Sequence, residues 1–336
     1  MFFGAVPLAE AEGAVLAHSV ALPGRRLRKG ASLTARDIQE LAKAGLREVV
    51  VAKLGAGDVG EDIAATRLAQ AMTKGAQGVT VTKAFTGRVN IVADAPGVAL
   101  IDAKVVTAVN SCDPMITCAT VPPLARLDKG SLIATIKIIS YGVAAEDLAR
   151  SEVAVAQANP AVGLHATKLK SACLIVTLTD AAPSSDKGVA AMKGRLEALG
   201  MSLGTVVEVP HRSEAIAASI KHMQEELCLV LTASATSDAQ DIAPEGVRLA
   251  GGQVTRFGMP VDPGNLLFLG DYVGKPVIGL PGCARSPALN GADFVLERVA
   301  CGLEVTSADI AQMGVGGLLK EIPQRPQPRR GPFQFE

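Results

Sequence analysis

The stretch Leu227 to Pro244, L-C-L-V-L-T-A-S-A-T-S-D-A-Q-D-I-A-P, decides how this chain reads. A run of apolar residues stops at Thr232, and a loop of small and hydroxylated residues follows, closed by Asp238, Asp241 and a proline. An unbroken apolar run bounded in this way reads as a buried strand in the middle of a sheet. Such a strand, opening into such a loop, brings backbone N–H groups and hydroxyls close to an anionic ligand. Thr232, Ser234, Thr236 and Ser237 supply four hydroxyls in that loop. Asp241 is the best-placed carboxylate to orient a ligand or hold magnesium, since hard cations prefer oxygen. Its structural alternative is an N-cap before Pro244.

The same rhythm extends to both sides. Cys173 to Thr179 is an apolar strand, and Val189, Met192, Leu196 and Leu199 fall on one face of a helix behind it. Val206 to Val209 is the next strand, and Ile216, Ile220, Met223 and Leu227 mark the next helical face. A β-α-β-α-β order argues for a largely parallel sheet covered on both sides by helices. Ligands in such sheets bind at the carboxyl ends of the strands. Asp180, Thr232 and the turn Gly279-Leu280-Pro281-Gly282 all fall there, with Ser286-Pro287 just beyond.

Asp186 and Lys187 open the helix after Asp180, where a phosphate would meet both the lysine and the helix N-terminus. Ordinary capping by Ser185 or Asp186 is the alternative. In Gly258-Met259-Pro260-Val261-Asp262-Pro263-Gly264-Asn265, two prolines and glycine set a rigid turn, with Asp262 either at the pocket or simply starting the turn. His211 and Arg212 follow Val209-Pro210, where a lone histidine is more often structural than catalytic. The sequence holds no pattern of a Ser-His-Asp triad or a metal-binding histidine cluster.

Earlier in the chain, Thr34 is placed to cap a helix from about Ala35 to Ala44 that ends at Gly45, with Ile38 and Leu41 on its core face. Glu48 to Ala52 then reads as a strand. Short β-branched segments at Val79 to Thr82, Val98 to Ile101 and Ile133 to Ile139 follow, with Phe85-Thr86-Gly87-Arg88-Val89-Asn90 as either a surface turn or a ligand contact. From Glu321 the chain carries four prolines and three arginines, an extended linker or disordered end.

Length and composition limit the possibilities. A chain of 336 residues with 49% hydrophobic content and a mean hydropathy of +0.30 can fill two or three packed cores. Basic and acidic residues balance at 33 each, so no long-range pull toward nucleic acid or a membrane surface is implied. Aromatics are 3% and tryptophan is absent, too few rings for base-stacking platforms. Cys112, Cys118, Cys173, Cys228, Cys283 and Cys301 are scattered without a C-x-x-C pair and read as reduced thiols. Glu10 and Glu12 interrupt the apolar start, which reads as neither signal peptide nor membrane span. The expectation is a cytoplasmic protein.

At these residues the chain resembles the molybdopterin-binding domain of molybdopterin adenylyltransferase, molybdenum insertase and gephyrin, over about Ala172 to Gly302. The family's strand ending S-D, its D-K-G helix start and its T-x-G-G-T-G-x-x-x-x-D-x-x-P-E loop are matched by L-T-D, by Asp186-Lys187-Gly188, and by Thr232, Thr236, Asp241, Pro244 and Glu245. Its P-G-K-P and G-L-P-G-N-P turns correspond to Pro263-Gly264-Asn265 and Gly279-Leu280-Pro281-Gly282-Cys283. Gly24 to Ala52 is similar to the insertase region before this domain. F-T-G-R-V-N, A-S-A-T-S-D, G-M-P-V-D-P-G-N-L-L and G-L-P-G-C-A-R-S-P resemble the molybdopterin-binding half of fused molybdenum-cofactor nucleotidyltransferases. Ser234 and Ala235 replace the loop's paired glycines, which restricts backbone approach to a phosphate. Cys283 replaces an asparagine, and Val209-Pro210-His211-Arg212 lacks the carboxylate implicated in nucleotide transfer.

The resemblance implies an α/β fold, a three-layer sandwich with a mostly parallel sheet, behind an N-terminal α+β region. The corresponding segments are an insertase-like region over 1–78, a β-rich subdomain over 79–168, the molybdopterin-binding domain over 169–305 and a Pro-rich extension over 306–336. It implies molybdopterin as ligand or substrate, with magnesium at Asp241. Asp241 and Asp180 are the candidate catalytic residues, for molybdate insertion or nucleotide transfer. Thr232, Ser234, Thr236, Ser237, Asp238, Asp186, Lys187, Asp262, Gly264, Gly279, Pro281, Gly282, Arg285 and Ser286 are the candidate binding residues. The implied partners are a molybdenum-cofactor nucleotidyltransferase and further copies of this chain, as dimer or trimer, with no nucleic acid and no membrane. A non-catalytic carrier, and a different nucleotide-processing α/β enzyme that kept this domain, are the rival readings.

Overall fold

A computed structural model of the chain describes residues 1–180 and 186–319; Ser185 and the Pro-rich tail lie outside the described residues. The chain divides into two compact units, Met1–Ala95 with Ala99–His165, and Pro96–Val98 with Ala166 onward.

The first unit is built mainly from antiparallel sheets. Phe2–Pro7, Glu48–Lys53 and Val15–Leu16 form one, and Ile116–Thr120, Leu132–Ile138, Arg88–Ala93 and Val79–Val81 form another. The helix Ala35–Lys43 starts where Thr34 predicts it. The Thr34 hydroxyl accepts the Asp37 N–H while Asp37 accepts the Thr34 N–H, a reciprocal capping box. Those bonds from Thr34, with Arg25 beside them, hold the Asp37 carboxyl down at about 2. Leu41 on this helix packs with Val6, Leu16, Leu33 and Val51 in a core confined to the first fifty or so residues.

The second unit carries the expected α/β rhythm, and its elements are labelled here. They are β1 (Ser171–Leu178), α1 (Asp186–Ala198), β2 (Ser202–Pro210), α2 (Ser213–His222), β3 (Leu227–Leu231), α3 (Ile242–Ala250), β4 (Gln253–Phe257), β5 (Phe268–Tyr272), β6 (Lys275–Leu280), α4 (Gly291–Ala300) and α5 (Ser307–Gln312). They form one six-stranded sheet in the order β2-β1-β3-β6-β5-β4. The first four strands in that order are parallel, and β5 and β4 complete the sheet antiparallel.

All five residues of β3 are buried, which explains why the run from Leu227 to Leu231 has no polar alternation. Successive side chains point to opposite faces. Leu227, Leu229 and Leu231 join Leu174, Met192, Leu196, Val295 and Ile310 in one core, under α1, α4 and α5. Cys228 and Val230 join Cys173, Ile175, Ile216, Ile220 and Val247 in the other, under α2 and α3. Each fully buried leucine or valine contributes roughly 1.5–3 kcal/mol relative to exposure, so Leu229→Ala alone would cost about 2–5 kcal/mol. The parallel strands β1, β3 and β6 all run toward the same end of the sheet, which gathers their loops together.

Candidate functional site

Beyond the carboxyl end of β6, the turn Gly282–Arg285 faces the start of α1 across a cleft of about 610 Å³. Asp186, Lys187, Gly188, Gly282, Cys283, Arg285 and Ser286 line it. Lys187 stands in the first turn of α1, the end of a helix that favours negative charge. Lys187 is exposed and enters no ion pair among the described residues. Arg285 crosses to the neighbouring strand end, where its Nη2 donates to the Thr232 carbonyl at 2.6 Å. Partial burial lowers its proton affinity, yet a guanidinium stays charged at any physiological pH. Arg285 therefore joins the cleft to the loop after β3 and keeps further N–H groups for an anion.

Glycine serves three different purposes here. A Cβ on Gly188 would lie 2.6 Å from Leu231 Cδ2 and 3.4 Å from Arg285 Cγ, so glycine lets α1 approach β3 closely. At Gly279 a Cβ would fall 1.9 Å from Phe268 Cε1, because Phe268 sits directly opposite on β5 and its ring covers the glycine. Gly279 is thus explained by sheet packing. Gly282 meets nothing within 4 Å and is open to the cleft.

The turn is held from outside by Arg195 of α1. Its Nε bonds Asp293 at 2.6 Å, its Nη1 donates to the Ala284 carbonyl, and its Nη2 donates to the carbonyls of Ser286 and Ala288. The ion pair is nearly buried, with side-chain exposures of 9% and 11%. Asp293 in turn forms the capping box of α4 with Asn290. One planar guanidinium so ties α1, the turn and α4 together, a use of fixed fork geometry that lysine could not copy. Sequence reading missed Arg195, because its partners lie some ninety positions away.

The loop after β3 is braced internally. Thr232 Oγ1 donates to the Ser234 carbonyl at 2.6 Å, and Asp238 Oδ1 accepts the Gln240 N–H. Asp241 Oδ2 accepts the Ser237 N–H at 2.8 Å and its Oδ1 the Ile242 N–H at 2.7 Å, capping α3. Both oxygens of the candidate catalytic carboxylate thus already hold the backbone, and the capping alternative is realised. Thr236 differs from its neighbours. It is 6% exposed, and no hydrogen bond from its hydroxyl is found among the described residues. A buried hydroxyl in this state is one for a ligand or water to satisfy.

Thr177, fully buried at the end of β1, is a second residue that sequence reading passed over. Its hydroxyl accepts the Ala233 N–H at 2.8 Å and meets His211 Nδ1 at 2.8 Å, linking the ends of β1, β2 and β3. His211 is accordingly held in a structural bond. Asp180 is exposed just past β1. Asp262 and Gly264 do not line the cleft. The backbone of Asp262 pairs with Gly317 and Leu319, and a Cβ on Gly264, which sits at φ +139, would lie 2.5 Å from the Gly291 nitrogen. No group of three or more metal-ligating side chains occurs among the described residues, so the donor set does not fit a magnesium ion held by the protein alone. No described helix is long and apolar enough to cross a membrane.

Comparison with known proteins adds two findings. Residues 5–53 match the model of a domain of unknown function (DUF8806), a segment that coincides with the separate core around Leu41. Among solved structures, the chain is similar to the molybdopterin biosynthesis moea protein from Pyrococcus horikosii. Identity is 13% and the TM-score 0.32, over 90% of this chain and 76% of that one. No curated protein matches the chain. The functional reading therefore rests on the residues of the cleft.

Proposed function

We propose that this protein binds molybdopterin within molybdenum cofactor biosynthesis, with the pterin's phosphate in the cleft between the start of α1 and the Gly282–Ser286 turn. The observation that carries this reading is the pair of cations, Lys187 in the first turn of α1 and Arg285 across the cleft, at the carboxyl ends of parallel strands. The buried Thr236 hydroxyl supports it from the adjoining loop. Two of the motifs that resemble the molybdopterin-binding family, Asp186-Lys187-Gly188 and the turn at Gly282-Cys283, fall on the same residues, and the finer fold reading is that family's three-layer sandwich. In this arrangement Lys187, at the positive end of α1, neutralises the phosphate, Arg285 fixes its position relative to Thr232, and Gly282 leaves room for it.

A non-catalytic carrier is favoured over a nucleotidyl- or molybdotransferase by one observation. The carboxylate expected to do chemistry, Asp241, has both oxygens bonded to backbone N–H groups. The test is calorimetric titration of the protein with molybdopterin, with and without magnesium and ATP or CTP. Binding without turnover, weakened in Lys187→Ala, is the expected result. Product formation would make it an enzyme and name the nucleotide, and no binding of molybdopterin would sink the reading.

A further inference from the structure

On the opposite face of the sheet from α1, two cysteines stand side by side. Cys173 on β1 is the direct register partner of Cys228 on β3. Both side chains enter the core under α2 and α3. Neighbouring strands lie about 4.8 Å apart, inside the Cα separation of about 4.4–6.8 Å that a disulfide spans. Neither cysteine is in a disulfide.

The two are not equally placed. Cys228 is sealed in the core, whereas Cys173 borders a cavity of about 300 Å³ between β2 and α2. Ile175, Val207 and Met223 give it apolar walls, and His222 and Glu225 are among its polar lining residues. Glu225 is turned to the backbone N–H groups of Thr205 and Gln224, and His222 Nδ1 to the Ala218 carbonyl. A cavity of this size holds several molecules of water's dimensions, at roughly 30 Å³ each. The neighbouring Cys228 sulfur lowers the Cys173 thiol below its usual value, while Cys173 and burial together raise that of Cys228. Cys173 is the sulfur that the cavity reaches, and a thiolate there is the nucleophile.

We propose that Cys173 and Cys228 are a reversible oxidation site, at which a small hydroperoxide entering the cavity oxidises Cys173 and Cys228 closes the disulfide. The Cys173 sulfur attacks the terminal peroxide oxygen and the O–O bond breaks. The leaving oxygen takes the thiol's proton and departs as water or alcohol, leaving a sulfenic acid. The Cys228 sulfur then attacks Cys173, the S–O bond breaks, and hydroxide leaves with the Cys228 proton as water. Two thiols lose two electrons and two protons, and the peroxide gains them. This site is separate from the cleft, and its test needs no pterin.

Fully reduced, folded protein is treated with hydrogen peroxide, denatured in N-ethylmaleimide and peptide-mapped. The expected result is a linked pair of peptides joining Cys173 to Cys228, a mass lower by two hydrogen atoms, and reversal by dithiothreitol, while Cys118 and Cys301 stay alkylated. In Cys228→Ala, Cys173 should stop at a sulfenic acid that dimedone traps. Cys173 and Cys228 both fully alkylated, after peroxide has oxidised half-exposed Cys112, would overturn the proposal. So would linkage that appears only when urea is present during oxidation. The map of the unsubstituted chain decides the matter even if a variant fails to fold.

Discussion

The loop from Thr232 to Asp241 and the turn from Gly282 to Ser286 flank the same region of the second unit, yet they are held in opposite ways. The loop is fastened by its own side chains, with Thr232, Asp238 and Asp241 bonded to backbone within a few residues. The turn is fastened by Arg195, a residue on a helix some ninety positions earlier, acting on its Ala284 and Ser286 carbonyls and on that of Ala288 just beyond. A segment that uses its own polar groups to hold its shape has few left for a ligand, and among the described residues the buried Thr236 hydroxyl and the exposed Ser234 hydroxyl remain. The turn spends its Ser286 hydroxyl on the Ala288 N–H, and its shape rests chiefly on Arg195. The comparison shifts the expected binding contacts from the hydroxyl-rich loop to Lys187, Arg285 and the Gly282–Ser286 turn.

Breaking the outside brace should have the largest effect. Arg195→Ala leaves Asp293 buried without its partner and takes the guanidinium donor from the Ala284 and Ser286 carbonyls, at a cost of about 3–5 kcal/mol. Urea unfolding measures it, and a loss below about 1 kcal/mol would mean that the turn is held elsewhere. Gly279→Ala should follow at about 1–3 kcal/mol, since its Cβ overlaps the Phe268 ring. If it instead lowers ligand affinity with unfolding unchanged, Gly279 belongs to the site and not to the sheet.

Lys187→Ala separates binding from folding. Calorimetry should show molybdopterin affinity down by roughly 10–100-fold, the worth of one hydrogen bond to a charged group, at an unaltered urea midpoint. Asp241→Ala should do the reverse, costing about 0.5–2 kcal/mol through the lost cap of α3 while affinity falls less than in Lys187→Ala. A larger loss of affinity in Asp241→Ala would return the loop to the centre of the site. Gly282→Ala should change stability least, within about 0.5 kcal/mol, because nothing lies within 4 Å of its new methyl group.

What sequence alone determined is whatever depends on near neighbours. The buried run Leu227–Leu231, the helical faces of Met192 with Leu196 and Ile216 with Ile220, and the Thr34 cap all appear in the structure where periodicity and capping chemistry put them. These are set by side-chain period and by bonds spanning three or four residues, so a linear reading reaches them. The candidate site was legible only in part. Asp186, Lys187, Gly282, Arg285 and Ser286 come together because strand order places their segments at one end of the sheet.

Tertiary structure alone decided what each polar or small residue does. Asp241 could be a cap or a ligand carboxylate until the Ser237 and Ile242 N–H groups were found on its two oxygens. Gly279 looked like part of a ligand turn, and its reason proved to be Phe268 across an antiparallel pair. Arg195, the Thr177–His211 bond and the register that sets Cys173 beside Cys228 join residues 34 to 98 positions apart. Sequence carries no local trace of such pairings, because a hydrogen bond or a packed contact depends on distance in space, and only the closed sheet brings those distances within reach.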